Sequence, residues 1–139
     1  GIWYALMLFL PAIYGAPGAA LSVQLAINGL ACTLLYKWVK GKTHRLRPCE
    51  VHPGLRQTVA PLDRFSFPSG HTLHAVAFTS LTCAHYGEFT YVLVPFTVLV
   101  AASRLVLGLH YLSDVIAGAL IGGGLAVLTY AITTSLGWA

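Results

Sequence analysis

Long apolar segments that carry almost no charge leave this chain few ways to fold. Ala19 to Trp38, Phe89 to Leu109 and Tyr111 to about Leu136 each reach the roughly 20 residues needed to cross the hydrocarbon of a bilayer. His71 to Ala84 falls short of that length unless its helix starts as early as Pro68, and Ile2 to Tyr14 is shorter still. Only 9% of the residues are charged, against about a quarter in an ordinary soluble domain, and the mean hydropathy is +0.75. In lipid the backbone polar groups must be satisfied within each segment, so such runs are helices. The expectation is an all-α, integral-membrane helical bundle with about five visible transmembrane helices, forming a single domain over residues 1–139.

Features inside the segments support helix packing in lipid. Gln24 and Asn28 stand four apart and share one face, where they are expected to hydrogen-bond neighbouring helices. Gly118 and Gly122, also four apart, form a small-xxx-small face for close helix contact. Gly15 to Gly18, with Pro17, reads as a tight turn. No basic leader precedes the first apolar run and no cleavage pattern follows it, so a secretory signal is not evident.

The charges are concentrated where the helices are not. Lys37, Lys40, Lys42, Arg45, Arg47, Arg56 and Arg64 face only Glu50 and Asp63 across one stretch, and outside it stand Glu88, Arg104 and Asp114. The formal net charge of +4 comes without a long basic face or a stacking platform, which excludes nucleic acid as a partner. For Lys37, Lys42, Arg45 and Arg56, anchoring at anionic headgroups competes with any more specific role. The polar stretch at about 39–67 is broken by Pro48, Pro53, Gly54 and Pro61, and reads as a long functional connection.

Three short strings gather the remaining chemistry. Lys40 to Pro48 reads KxxxxxxRP, residues 68 to 71 read PSGH, and Ser103 to Asp114 reads SRxxxxxHxxxD. If the apolar segments alternate direction, all three strings fall at helix ends on one side of the membrane. Pro68 and Ser69 suit a helix start, where the first backbone N–H groups make an anion site. Lys40, Arg47 and Arg104 would neutralise phosphate oxygens. An arginine within an apolar segment is expensive, so Arg104 reads as functional. His110 and Asp114, at i and i+4, are expected on one helical face, with the carboxylate accepting an imidazole N–H and the other ring nitrogen left to attack phosphorus. His71, arriving from another helix, would act as acid and base.

Metal binding is the chemical rival. His71, His74 and His110 could be imagined as ligands, but His-x-x-His with one carboxylate matches zinc or a two-metal site poorly, and three nearby cations repel a divalent ion. Cys32, Cys49 and Cys83 have no metal or redox spacing. No metal and no cofactor is expected.

KGKTHRLRP, PSGH and SRLVLGLHYLSD together resemble the three-part motif of the type 2 phosphatidic acid phosphatase (PAP2) family, also called the lipid phosphate phosphatases. All eleven defining positions match in order, over Lys40 to Asp114. The resemblance implies a helical fold shared with bacterial acid phosphatases and vanadium haloperoxidases, and metal-independent hydrolysis through a phosphohistidine. It would make His110 the nucleophile, Asp114 its orienting partner and His71 the acid and base, with Lys40, Arg47, Ser69, Gly70 and Arg104 binding phosphate. Membrane members of the family typically have six crossings, so either a first helix is missing here or the bundle is unusual.

The hydropathy disfavours the soluble branches. The implied substrate is a lipid phosphate monoester or diphosphate of the phosphatidic acid, phosphatidylglycerol phosphate, undecaprenyl pyrophosphate or lipid A type, and membrane lipids are the other partners. A phosphotransferase using the same site, or an inactive lipid-binding scaffold, are the alternatives. Positive-inside counting would put the Lys40 loop in the cytoplasm, but cations committed to phosphate weaken that rule. The resemblance favours the periplasmic face of a bacterial inner membrane.

Overall fold

The computed structural model describes residues 1–52, 54 and 65–138. Helices α1 (Ile2–Tyr14), α2 (Ala16–Thr43), α3 (Pro48–Val51), α4 (Gly70–His85), α5 (Thr90–Val106) and α6 (Leu112–Ser135) follow one another, with a 3-10 turn at Gly87–Phe89 before α5. Among the described residues the sole extended pairing is an isolated antiparallel bridge between Leu46 and Phe65. Arg56, Asp63 and Arg64, with Pro53 and Pro61, lie outside the described residues.

The chain is an all-α membrane bundle. Three stretches have the length and apolarity to cross a bilayer: α2, the 20 residues Gly87–Val106, and α6. The other two bundle helices are shorter, α1 with 13 residues and α4 with 16. At 1.5 Å per residue they run about 20 and 24 Å. Helix α5 turns Val92, Val98 and Leu99 outward and buries Leu93 alone, the pattern of a lipid-facing helix. Helix α4 is the opposite. Packed between α2, α5 and α6, it buries Leu73, Ala77, Phe78 and Leu81 together with Thr72, Thr79 and Thr82.

Lipid is as apolar as leucine, so close packing and interhelical hydrogen bonds must hold such a bundle together. Both are present. A Cβ on Gly118 would stand 2.6 Å from the Ser69 carbonyl oxygen, and one on Gly122 would stand 2.2 Å from that of Leu73, so α4 and α6 meet backbone to backbone. Gln24 and Asn28 are each 1% exposed, as their spacing predicts. Asn28 Nδ2 donates to the Leu125 carbonyl at 3.1 Å and to Thr129 Oγ1 at 2.7 Å, while Gln24 Oε1 accepts from Thr133 and lies 3.1 Å from His85 Nε2.

Several boundaries differ from the sequence reading. The turn after α1 is one residue, Gly15, at φ +65°, a conformation that glycine enters without steric cost. Pro17 then sits in the first turn of α2, where its missing N–H costs nothing. Helix α2 runs to Thr43 instead of ending near Trp38, so Lys40 is in its last helical turn and not in the loop. Helix α5 stops at Val106, and the chain breaks at Gly108 with φ +68° before α6 begins at Leu112. His110 therefore precedes α6 and does not share a helical face with Asp114. The physical cause is a cap: Asp114, in the first turn, takes the Tyr111 N–H on Oδ2 at 2.7 Å, which ends the helix there.

Candidate active site

The last turn of α2, the first of α4, the last of α5 and the segment ahead of α6 lie at one end of the bundle. Lys40, Arg47, Gly70, His71, Arg104 and His110 all line a single cavity of about 920 Å³. Ser69 and Asp114 stand behind that wall, both 0% exposed. Six of the eight residues singled out from sequence thus meet at one surface, and two support it.

The support is specific. Ser69 caps α4, its Oγ accepting the Thr72 N–H at 3.4 Å and bonding Thr72 Oγ1 at 3.0 Å. Its own amide donates to the Asp114 carbonyl at 3.0 Å, so the starts of α4 and α6 are tied together. Lys40 is 7% exposed and holds its ammonium 5.3 Å from the centre of the Tyr36 ring. Arg104 Nε donates to Ser103 Oγ at 3.2 Å, and Ser103 Oγ in turn donates to the Val100 carbonyl at 2.7 Å.

His110 is 4% exposed and fixed on both sides. Its Nδ1 lies 2.8 Å from the Ser66 carbonyl oxygen. A carbonyl only accepts, so Nδ1 carries the proton and Nε2 keeps its lone pair. Arg47 Nη1 donates to that Nε2 at 3.2 Å and to the Leu109 carbonyl at 2.8 Å. Asp114 Oδ2 stands 3.7 Å from His110 Nδ1, near enough to stabilise positive charge on the ring, while the shorter contact belongs to Ser66.

Two contributors were not singled out as site residues from sequence. Ser66 supplies the carbonyl that sets the His110 tautomer, through its backbone, and a backbone role leaves no mark on residue type. Arg45 donates to Asp114 Oδ1 at 3.0 Å and to Ser113 Oγ at 2.7 Å, with its guanidinium 4.5 Å from the centre of the Tyr111 ring. Headgroup anchoring, the competing reading for Arg45, does not account for those contacts. The sequence carried no signal for them: the pairing of Leu46 with Phe65, which puts residues 45 and 47 on one side of an extended segment, is seen only in the fold.

Beyond the cationic end the cavity turns apolar, with Trp3, Met7, Leu25, Phe78 and Phe96 in its walls. Among the described residues no three His, Cys, Asp or Glu side chains gather as metal ligands would. The arrangement offers an unprotonated histidine nitrogen held by Arg47, a second histidine on the same cavity wall, three cations for an anionic group, and room for hydrocarbon behind them.

A membrane bundle of this kind is found among known proteins. The model of the PAP2 superfamily matches residues 17–138, and the chain belongs to that superfamily. It is 30% identical over 116 residues to the lipid A 1-phosphatases of Rhizobium etli and Rhizobium johnstonii. That alignment takes in 81% of this chain but 48% and 46% of those proteins, so the chain spans about half the length of these curated relatives. The fold also matches the crystal structure of a transmembrane PAP2 type phosphatidylglycerolphosphate phosphatase from Bacillus subtilis. The TM-score is 0.68 at 22% identity, over 96% of this chain and 76% of that one.

Proposed function

We propose that this protein is a membrane lipid phosphatase that hydrolyses a lipid phosphate monoester or diphosphate through a phosphohistidine, without a metal ion. The observation that carries the reading is His110, held in one tautomer by the Ser66 carbonyl, on the wall of a cavity that is cationic at one end and apolar at the other. Lys40, Arg47 and Arg104 bind the phosphate oxygens, and Gly70 with the capped start of α4 offers backbone N–H groups to the same anion. His110 Nε2 attacks phosphorus as the bond to the lipid oxygen breaks, and His71 gives that oxygen its proton. His71 then takes a proton from water as the water attacks the phosphohistidine, which releases phosphate and restores His110. Asp114 stabilises the charged ring that forms between the two steps.

The Rhizobium relatives are described as acting on lipid A, which makes a phosphorylated, acylated sugar one reasonable substrate. Family resemblance supports a site that faces the periplasm from a bacterial inner membrane. A membrane-impermeant thiol reagent that fails to reach Cys49 in intact cells but reaches it after lysis would reverse that placement.

The direct test is phosphate release by purified protein in detergent with EDTA present, from a panel of lipid phosphates and diphosphates, beside the His110→Ala variant. Release that survives chelation and is absent in the variant is the expected result. Equal release by the variant would refute the mechanism.

A further inference from the structure

The cavity wall is graded in three zones, and no residue of the middle one binds phosphate or moves a proton in the chemistry above. On α2 the lining positions descend from Lys40 through Tyr36 and Thr33 to Gly29; on α4 they descend from His71 through His74 to Phe78. At 1.5 Å per residue, Tyr36 and Thr33 lie about 6–10 Å along α2 from Lys40, and His74 about 5 Å along α4 from His71. This polar zone separates the charged end from the apolar one.

Its hydrogen bonds have a definite sense. His74 Nδ1 lies 2.8 Å from the Gly70 carbonyl, so that nitrogen carries the proton. In the neutral ring Nε2 is then an acceptor, and Thr33 Oγ1 lies 3.1 Å from it. Thr33 Oγ1 is also 2.9 Å from the Gly29 carbonyl, an oxygen one turn back on the same helix. A threonine has a single hydroxyl proton, so two acceptors compete for it. The His74 ring is further held by Tyr36, edge on at 5.6 Å, and by Phe78 at 5.8 Å. The cluster is half-buried and offers more acceptors than it has protons to share among them.

We infer that Thr33 and His74, with Tyr36 beside them, form a subsite for hydrogen-bond donors on the lipid head, so that the protein prefers lipids whose phosphate is borne by a hydroxyl- or amide-bearing head such as a sugar or glycerol. Hydrocarbon attached straight to phosphate would lie across this zone and cover its acceptors without satisfying them. A sugar or glycerol head places O–H or N–H groups there and leaves the acyl chains to the apolar end. The inference rests on the phosphatase reading and narrows its substrate class.

The test compares kcat/KM for two lipids on the same preparation: a donor-bearing one, a lipid-linked sugar phosphate or phosphatidylglycerol phosphate, and a donor-free one, a polyprenyl phosphate. Thr33→Val and His74→Phe keep side-chain volume close to the original. Each is expected to lower the ratio of donor-bearing to donor-free turnover about tenfold. The ratio is independent of how much of a variant folds correctly. An unchanged ratio in both variants would overturn the subsite while leaving the phosphatase reading intact, as would a preference of the unaltered protein for the polyprenyl phosphate. Turnover of neither lipid by the unaltered protein would overturn the phosphatase reading, and this one with it.

Discussion

Adding one methyl group at Gly118 should disable the site from behind. A Cβ there would stand 2.6 Å from the carbonyl oxygen of Ser69 and 3.3 Å from the amide nitrogen of Leu73. Both atoms are backbone and cannot swing aside. Ordinary contact begins near 3.4 Å, so the α4 start and α6 must separate by about 0.8 Å. Ser69 caps α4 ahead of Gly70 and His71, and its amide is bonded to the Asp114 carbonyl, so the displacement reaches both sides of the active site. Overpacking of this kind costs about 1–3 kcal/mol, and a misplacement near 1 Å can cost about 10²-fold in rate. Gly118→Ala is therefore expected to lower kcat about 10²-fold while the protein still folds. Gly124→Ala, where nothing lies within 4 Å of the new Cβ, serves as the control and should be neutral or slightly stabilising. Phosphate release and a thermal melt in the same detergent would measure both effects. Wild-type kcat in Gly118→Ala would refute the claim that backbone contact between α4 and α6 sets the geometry of the site.

Further outcomes follow from the residues around Asp114 and from the polar contacts between helices. Asp114→Asn keeps one acceptor oxygen where the carboxylate now serves Arg45 and the Tyr111 N–H at once, and it removes the charge beside His110; turnover should fall at least 10²-fold with little change in melting, and an unchanged rate would remove Asp114 from the mechanism. Arg45→Gln should show a weaker form of the same defect, and a larger loss than in Asp114→Asn would mean that Arg45 touches substrate directly. Asn28→Leu removes two bonds from α2 to α6 and should cost about 0.6–1.7 kcal/mol of stability in detergent, with the cationic end of the cavity unaffected; no shift in the melt would show those bonds to be energetically silent.

What could be read from the chain itself was whatever depends on residue type and spacing. Lipid admits only backbones that satisfy themselves, so apolar runs of sufficient length had to be helices, and alternation of their direction brought Lys40, Arg47, His71, Arg104 and His110 to one end. The spacings of Gln24 with Asn28 and of Gly118 with Gly122 named the faces that pack against other helices. Tertiary structure decided what depends on three-dimensional proximity through the backbone. The helical face expected for His110 and Asp114 gave way to a capped break, because the carboxylate satisfies the Tyr111 N–H at the start of α6. The His110 tautomer is set by the carbonyl of Ser66, 44 residues away in sequence. Headgroup anchoring competed with any specific role for Arg45 in the sequence, and only the fold shows it bonded to Asp114, with its side chain still 40% exposed. Side-chain chemistry is written in the residues, but backbone carbonyls and amides are alike at every position, and only the fold selects which of them a functional group meets.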